Sequence, residues 1–270
     1  MRLPVGRSQV VYTDPQHPDT PLTVHTYRPR DLGALDPVVL VHHGMVRNGD
    51  EYRDHWVEVA ERHRWLIVAP TFSAQDFPEP ENYNNGKVRR PDGSVAPASQ
   101  WLYAIPQRVL QSLQAAGVTQ REKAWMFGHS AGGQFVHRLL ATQPEASFER
   151  IAVGNPGWYT LPTLDRPFPE GLGGLGLSRL DVQRWLTTPM TVLAGDQDID
   201  TTDPSLPNEP AARAQGPTRY ARAHYFLDFA QAQARAWGVV CAWNLITVPG
   251  VGHDGQAMGQ AAARAWLTRP

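Results

Sequence analysis

The chain has 270 residues, a formal net charge of −1 at pH 7, 41% hydrophobic residues and 19% charged residues. This length and composition allow a substantial core and exclude an intrinsically disordered chain. Lys and Arg are scattered along the chain, so no basic patch predicts binding to nucleic acid or to an anionic membrane. The N-terminus lacks the apolar segment of a signal peptide, and no apolar run is long enough to span a bilayer, so we expect a cytoplasmic protein without a membrane partner.

Short apolar runs rich in β-branched residues alternate with longer segments of helical periodicity. Strands are predicted at residues 22–27, 37–41, 65–69, 124–127, 151–153, 190–194 and 243–248. Helices are predicted at residues 52–63, 100–116, 131–142, 218–237 and 256–267. The alternation predicts an α/β fold with a mostly parallel central sheet flanked by helices. We find no repeat and no domain boundary, so residues 1–270 are expected to form a single domain.

Three segments rich in Pro, Gly or Asn interrupt this alternation: residues 71–99, 155–178 and 200–217. Each follows the predicted C-terminal end of a strand, which is where ligands bind in open α/β sheets. Loops of this length in a compact domain are usually binding loops. We expect long loops in place of a large cap domain, and we expect residues 71–99 to border the functional site.

The second of these loops contains the sequence GLGGLG, residues 171–176, which is similar to the glycine-rich fingerprint of dinucleotide-binding sites. That fingerprint requires a strand directly before it and a helix that starts within it. A proline-rich segment precedes these glycines, so the sequence favours a loop. No other segment predicts a cofactor, and no His or Cys spacing is typical of a zinc site, so neither a cofactor nor a metal is expected.

The sequence GHSAGG, residues 128–133, lies between a predicted strand and a predicted helix. A nucleophile elbow has this form, because its serine occupies a strained turn and small neighbours allow the strand and the helix to approach each other. We therefore predict that Ser130 is a nucleophile. The first N–H groups of the helix point toward the same place, so the backbone N–H of Ala131 is predicted to bind an oxyanion.

A second oxyanion donor is predicted in the sequence HHGM, residues 42–45, which follows an earlier strand. A His–Gly turn that leaves a central strand places the next backbone N–H, that of Met45, near the elbow. His42 and His43 are interpreted as residues that support this turn.

Three aspartates follow the strand predicted at residues 190–194. A carboxylate at this position holds the imidazole of a catalytic histidine in the correct tautomer and stabilises its charged form. Asp198 stands three residues after the glycine of this loop, the usual position of the acid in folds of this kind, and is the predicted acid. Asp196 and Asp200 are predicted to stabilise turns.

The predicted base is His253, in the glycine-bracketed loop between the last strand and the last helix. A histidine at this position can reach Ser130 across the edge of the sheet. His129 is adjacent to the serine and cannot fold back to act as its base. Asp254 is predicted to cap the last helix. The order Ser, Asp, His along the chain is that of α/β hydrolases and differs from the orders of chymotrypsin and subtilisin.

With these motifs the chain resembles the α/β-hydrolase superfamily over nearly its whole length. Within it, the chain is similar to bacterial esterases related to poly(3-hydroxybutyrate) depolymerases. This narrower resemblance rests on four segments: HHGM, NYNNG (residues 82–86), GNPGWY (residues 154–159) and GDQD (residues 195–198). It implies a serine carboxylic-ester hydrolase that acts through an acyl-enzyme on a small or oligomeric ester, including polyester-type substrates. No signal peptide and no polymer-binding domain is recognised, which favours soluble esters or oligomers over solid polymer.

Four aromatic residues are candidates for the walls of a substrate pocket. Trp158 and Tyr159 follow the strand after the elbow helix, and Tyr83 and Trp101 lie in or just after the first long loop. Ordinary core packing is an equal alternative for each of them.

Other functions are compatible with the same residues. A serine peptidase or amidase and an acyltransferase use the same three side chains on this fold. A catalytically silent hydrolase fold that only binds a ligand is the alternative from another class, because a fold does not imply a function. The oligomeric state is not predicted.

Overall fold

The computed structural model describes residues 3–144 and 147–268, in which eight strands form one sheet. The strands are β1 (Gly6–Asp14), β2 (His17–Arg28), β3 (Val38–His42), β4 (Leu66–Thr71), β5 (Ala124–His129), β6 (Phe148–Gly154), β7 (Met190–Gly195) and β8 (Trp243–Val248). Their order in the sheet is β1-β2-β4-β3-β5-β6-β7-β8. Strand β2 is antiparallel to β1 and β4, and all other neighbours are parallel. The predicted fold class is confirmed.

Helices cover both faces of the sheet. They are α1 (Gly49–Asp54), α2 (Val57–His63), α3 (Ile105–Ala115), α4 (Ala131–Thr142), α5 (Arg179–Thr187), α6 (Pro210–Arg213), α7 (Arg219–Trp237) and α8 (Gly255–Leu267). Strand β3 shows how the layers are held, because its side chains point alternately to opposite faces. Val38 and Leu40 belong to the core on the face covered by α3, α4, α5 and α7, whereas Val39 and Val41 belong to the core on the face covered by α1, α2 and α8. This two-sided burial explains why the central strands read as continuous apolar runs.

Several boundaries differ from those predicted. The helix predicted at residues 52–63 is two helices, α1 and α2, and the helix predicted from residue 100 begins at Ile105 after two short 3-10 turns. Pro106 is tolerated in its first turn, where a backbone N–H has no partner within the helix. Strand β1 and helix α5 were not predicted. Strand β1 is an edge strand with mostly partly buried or exposed residues, so its apolar pattern is weak.

Helix α5 begins with a capping box. The Ser178 hydroxyl accepts a hydrogen bond from the backbone N–H of Asp181, and the Asp181 carboxylate accepts one from the backbone N–H of Ser178. This local signal was present in the sequence and marks a helix start.

The long loops follow the C-terminal ends of β4, β6 and β7, and helix α4 holds the first two of them. The fully buried Arg138 donates to the backbone carbonyl of Asn84 and to the side chain of Asn85 in the first loop. The same side chain donates to the hydroxyl of Thr160 in the second loop. Within the described ranges, no helix combines the length and apolar character needed to cross a membrane.

Candidate active site

The turn between β5 and α4 holds Ser130 in a strained backbone conformation. Its φ of 55° and ψ of −118° lie in a region that non-glycine residues rarely occupy and that is common at functional sites. The elements meet closely here: a Cβ atom on Gly128 would lie 2.2 Å from the Gly132 carbonyl oxygen, and one on Gly132 would lie 2.2 Å from that of His42. Only glycine fits at these two positions, as predicted from the sequence.

The structure brings Ser130, His253 and Asp198 together. The Ser130 Oγ lies 3.0 Å from His253 Nε2, and His253 Nδ1 lies 2.7 Å from Asp198 Oδ2. The carboxylate accepts from Nδ1, so this nitrogen carries the proton in the neutral ring. Nε2 is then left with a lone pair directed at the serine hydroxyl. This arrangement can remove the serine proton.

The neighbouring aspartates have structural contacts, as predicted. Asp196 accepts a hydrogen bond from the backbone N–H of Gly250, which joins the loop after β7 to the loop after β8. Asp200 accepts from both the backbone and the side chain of Thr202 within its own turn. Asp254 caps helix α8 by accepting two backbone hydrogen bonds.

Asp198 has a second buried partner, Arg219, which sequence reasoning missed. Arg219 Nη1 lies 3.3 Å from Asp198 Oδ1 and 2.7 Å from Asp203 Oδ2, and its Nη2 donates to the Ser205 hydroxyl. Partial burial acts to raise the pKa of Asp203, but hydrogen bonds from Ser205 and Arg219 outweigh it and lower the pKa to about 2. No local pattern marks Arg219, because its partners come from a loop 14 to 21 residues away.

Asn155 connects the two loops that carry the acid and the base. Its side-chain oxygen accepts from the backbone N–H of Gly195, and its side-chain nitrogen donates to the carbonyl of Gly252, both over 2.9 Å. The backbone φ of 44° is in the left-handed region, which asparagine tolerates better than most residues. The sequence signal, an Asn directly after a buried strand, was not recognised.

The predicted oxyanion site lies beside the elbow. A Cβ atom on Gly44 would lie only 3.5 Å from the Cβ of Ser130, so the turn after β3 contacts the serine. Within the described chain, the backbone N–H groups of Met45 and Ala131 donate no hydrogen bond. The role of these two N–H groups as oxyanion donors stays a prediction.

His42 and His43 support this turn in different ways. His43 accepts from the backbone N–H of Phe72 through Nε2, so its Nδ1 donates to the carbonyl of Gly44. His42 stacks on Phe135 with ring centroids 4.7 Å apart, and neither of its ring nitrogens has a hydrogen-bond partner in the described chain. Burial lowers the pKa of both histidines to about 3, so both are neutral near pH 7.

His129 lies against His253 and is bonded to Tyr52 on its other side. The Tyr52 hydroxyl and His129 Nδ1 are 2.7 Å apart, and the rings of His129 and His253 are 4.6 Å apart. Burial raises the pKa of Tyr52 and lowers the pKa of His129 well below its ordinary value. The phenol therefore stays protonated and donates to Nδ1 of a neutral imidazole. His129 thus places no second positive charge beside His253.

A cavity of about 970 Å³ opens above Ser130 and His253. All three long loops contribute to its lining, through Glu81, Asn84 and Asn85 from the first, Gly157 and Trp158 from the second, and Pro207 and Glu209 from the third. The expectation that residues 71–99 border the site is confirmed. The volume is at the upper end of the range typical of small-molecule sites.

Of the four aromatic residues predicted to line the pocket, only Trp158 does so. The structure corrects the other three, which are buried core residues. The Tyr83 hydroxyl donates to the carbonyl of His43, the Trp101 indole donates to the carbonyl of Ala96, and Tyr159 stacks on Phe226. Aromatic side chains in loops pack against the sheet as readily as they face a ligand, and the sequence does not distinguish the two.

The part of the chain that the structure describes contains no group of three or more His, Cys, Asp or Glu side chains arranged to hold a metal ion. The glycine-rich residues 171–176 belong to the loop between β6 and α5, where Leu172 is buried in the core. No strand directly precedes them, so the requirement of a dinucleotide fingerprint is not met there.

The sheet order, the elbow after β5 and the loops at the C-terminal edge define an α/β-hydrolase fold. No family model matches the chain, and no curated protein shows significant similarity to it. Among solved structures, the chain is similar to LpqC, a poly(3-hydroxybutyrate) depolymerase from Bordetella parapertussis, with 49% identity over 98% of this chain and 90% of that chain and a TM-score of 0.95. The chain therefore belongs to the hydrolase family of LpqC within the α/β-hydrolase superfamily, as its motifs indicated.

Two further structures extend the comparison. Poly(aspartic acid) hydrolase-1 from Sphingomonas sp. KT-1 is 31% identical over 97% of this chain and 98% of that chain, with a TM-score of 0.93. An S-formylglutathione hydrolase from Agrobacterium tumefaciens is 15% identical over 98% of this chain and 95% of that chain, with a TM-score of 0.59. The latter similarity concerns the fold alone.

Proposed function

We propose that this protein is a serine carboxylic-ester hydrolase with Ser130 as nucleophile, His253 as general base and Asp198 as the acid that orients the base. The observation that carries the proposal is the continuous series of contacts from Asp198 Oδ2 to His253 Nδ1 at 2.7 Å and from His253 Nε2 to Ser130 Oγ at 3.0 Å. Membership of a hydrolase family supports it.

The proposed reaction has two stages. His253 Nε2 takes the hydroxyl proton of Ser130 while Oγ attacks the ester carbonyl carbon, and the N–H groups of Met45 and Ala131 bind the resulting oxyanion. When the tetrahedral intermediate collapses, the C–O bond to the alcohol breaks and His253 gives its proton to the departing oxygen. Water then attacks the carbonyl carbon of the acyl-enzyme while His253 takes a proton from it. The bond between that carbon and Ser130 Oγ breaks, His253 returns the proton to Oγ, and the carboxylic acid is released.

The chemistry of the cavity favours an uncharged ester. Its described lining contains Glu81 and Glu209 but no Lys or Arg, so a carboxylate on the substrate would find no direct cationic partner. Arg138 and Arg222 lie behind the walls and donate to protein oxygens. LpqC is named for a neutral polyester, and the present chain resembles it more closely than it resembles the hydrolase named for poly(aspartic acid), a polyanion. An oligomeric or short-chain neutral ester is therefore the proposed substrate class.

The test is hydrolysis of p-nitrophenyl acetate, butyrate and octanoate by the wild type and by Ser130→Ala. Ser112→Ala is the matched control, since the hydroxyl of Ser112 donates within helix α3, outside the cavity lining. We expect activity in the wild type and the control and its loss in Ser130→Ala. A folded wild-type protein that hydrolyses poly(aspartic acid) but none of these esters would contradict the ester proposal. Ester turnover that survives in Ser130→Ala would contradict the assignment of the nucleophile.

A further inference from the structure

Two buried carboxamides lie together in the wall of the cavity. Asn84 Nδ2 donates to Gln134 Oε1 over 2.9 Å, and each residue is only 4% exposed. Gln134 is in helix α4, one turn beyond the elbow, and its backbone N–H donates to the carbonyl of Ser130. Gln134 is therefore joined through the first turn of α4 to the proposed nucleophile.

The Asn84 side of the pair is also held firmly. Its backbone carbonyl accepts one hydrogen bond from the Tyr103 hydroxyl over 2.8 Å and another from Arg138 over 3.0 Å. Both donors are completely or almost completely buried. Groups fixed in this way are preorganised for binding, since little conformational freedom is left to lose.

The pair keeps unused hydrogen-bonding capacity. In the described chain, the buried Asn84 Oδ1 has no partner and Gln134 Nε2 donates no hydrogen bond. Two carboxamides joined by one hydrogen bond always retain a carbonyl oxygen on one residue and an NH₂ group on the other. The result is the same if both amide groups are turned over. An unused acceptor and an unused donor thus belong to one hydrogen-bonded pair, and both residues of the pair line the cavity.

Residues of the second and third long loops narrow the space beside Gln134. A Cβ atom on Gly157 would lie 2.9 Å from Gln134 Nε2 and 2.8 Å from Cγ of Pro207. Gly157 therefore lies directly against the amide of Gln134 and against the ring of Pro207. The space suits one small group of a ligand.

We propose that Asn84 and Gln134 form a subsite for a neutral hydroxyl group of the substrate. This inference rests on the proposed function. A hydroxyl both donates and accepts one hydrogen bond, so it satisfies the free oxygen and the free NH₂ together. An ether or ester oxygen only accepts hydrogen bonds and leaves the free oxygen of the pair without a donor. A carboxylate likewise only accepts, and it carries a charge that no cationic side chain of the described lining compensates. A plain hydrocarbon chain leaves both amide groups unpaired.

The position of Gln134 determines how far the bound hydroxyl group lies from the ester carbonyl that Ser130 attacks. Four residues of α-helix rise about 6 Å, and helical side chains lean toward the N-terminus, so the amide of Gln134 leans back toward Ser130. An attacked carbonyl carbon lies about 3 to 3.5 Å from the serine oxygen. A hydroxyl two or three bonds beyond the ester group fits this geometry. It can belong to the acyl part or to the alcohol part of the ester.

The experiment compares kcat/KM, measured from acid release, in two arms. The acyl arm uses methyl butyrate, both enantiomers of methyl 3-hydroxybutyrate, and methyl 3-methoxybutyrate. The alcohol arm uses propyl, 2-hydroxyethyl and 2-methoxyethyl butyrate. In one arm we expect kcat/KM for the hydroxylated ester to be about three- to tenfold higher than for the plain ester and the methoxy ester of the same arm. This ratio corresponds to the free energy of a neutral hydrogen bond. The arm that shows the preference identifies the part of the ester that is bound.

Two variants connect this preference with the subsite. Gln134→Leu removes one amide, and Asn84→Asp, which is nearly equal in size, leaves the pair without a free donor. We expect the hydroxyl preference to fall to about one in both. The matched control is Gln107→Leu, because within the described chain the amide of Gln107 bonds only to Ser147, and it lies outside the cavity lining. This control should keep the wild-type preference, and thermal unfolding shows which variants are folded.

The outcomes separate the two proposals. If the wild type hydrolyses the esters through Ser130 but shows no hydroxyl preference in either arm, the subsite is overturned and the proposed function stands. A preference that persists in folded Gln134→Leu and Asn84→Asp also overturns the subsite. If no ester is hydrolysed, the proposed function fails and the subsite fails with it.

Discussion

Arg219 donates to Oδ1 of Asp198 over 3.3 Å, while the other oxygen of that carboxylate, Oδ2, bonds to His253. The side chains of Arg219 and Asp198 are 1% and 3% exposed. Through Asp203 and Ser205, the same guanidinium also fixes the loop whose next residues line the cavity. The proposed acid and one wall of the substrate cavity are thus held by a single buried arginine.

Replacing this arginine should strongly destabilise the protein. Arg219→Met leaves Asp198 buried without its positive partner, and such changes cost about 3 to 5 kcal/mol. The measurement is the free energy of unfolding in urea. The control is Arg213→Met in the same loop region, where the exposed side chain bonds only to Asn208 among the described residues. We expect a change within about 0.5 kcal/mol for this control. Equal losses in the two variants would contradict the role of the buried ion pair.

The assignment of Asp198 as the acid predicts that the Asp→Asn variants at residues 196, 198 and 200 differ strongly in activity. Asp198→Asn should lower kcat by about 10⁴, because the amide no longer holds the active tautomer of His253. Asp196→Asn and Asp200→Asn should lower kcat far less, since Asp196 bonds to the backbone N–H of Gly250 and Asp200 to that of Thr202. Steady-state hydrolysis of p-nitrophenyl butyrate measures all three. A larger loss in Asp196→Asn than in Asp198→Asn would move the acid to residue 196.

Asn155 should matter because it joins the acid loop to the base loop. Asn155→Gly removes both side-chain hydrogen bonds but keeps a residue that adopts positive φ freely. The buried N–H of Gly195 loses its partner, at a cost of about 1 to 3 kcal/mol. Asn155→Ala loses the same bonds and adds backbone strain of about 1 to 2 kcal/mol. Denaturant unfolding should therefore rank the wild type above Asn155→Gly and Asn155→Gly above Asn155→Ala. The reverse order of the two variants would show that the backbone conformation at residue 155 is not the reason for asparagine.

The buried histidines should make the protein sensitive to acid. The pKa of His42 and of His43 is about 3 in the folded protein, against about 6.5 in an unfolded chain. Between these pH values the unfolded state binds more protons than the folded state. The contribution of these histidines to the free energy of unfolding is therefore complete above pH 6.5 and decreases as the pH falls toward 3. Each histidine contributes a slope of up to about 1.4 kcal/mol per pH unit in this window.

His42→Phe isolates one of these contributions. The aromatic stacking on Phe135 is kept and no hydrogen bond within the described chain is lost, because the nitrogens of His42 have no partner there. We expect the dependence of unfolding free energy on pH to become shallower between pH 4 and 6, with stability at pH 7 not reduced. His43→Phe is the contrasting variant and should be destabilised, since it leaves Phe72 N–H and the Gly44 carbonyl without their partner. An unchanged slope in His42→Phe would show that His42 does not stay neutral in the folded protein.

The sheet and the motifs around it were predictable because they depend on short-range patterns. The run of Val38 to Val41 marks a strand buried on both faces, and glycines at 128 and 132 mark an elbow, since any Cβ there would collide with backbone. The helix over residues 131–142 and the strand over residues 243–248 have the predicted bounds. Strand β1 was missed because an edge strand buries few residues, and helix α5 because its capping box was not recognised.

The order of seven strands and the main helices, the elbow, and the serine, aspartate and histidine at strand ends could all be predicted from the sequence, because a parallel sheet brings those strand ends to one edge. Each of these features depends on local backbone geometry or on the common direction of the strands in a parallel sheet. The contacts of the loop side chains, in contrast, are known only from the tertiary structure. Arg219 bonds to an aspartate 21 residues away, Asn84 pairs with Gln134 across 50 residues, and Tyr83 lies in the core instead of the cavity. Such contacts depend on how three irregular loops pack together, and irregular backbone has no period from which a buried face can be read.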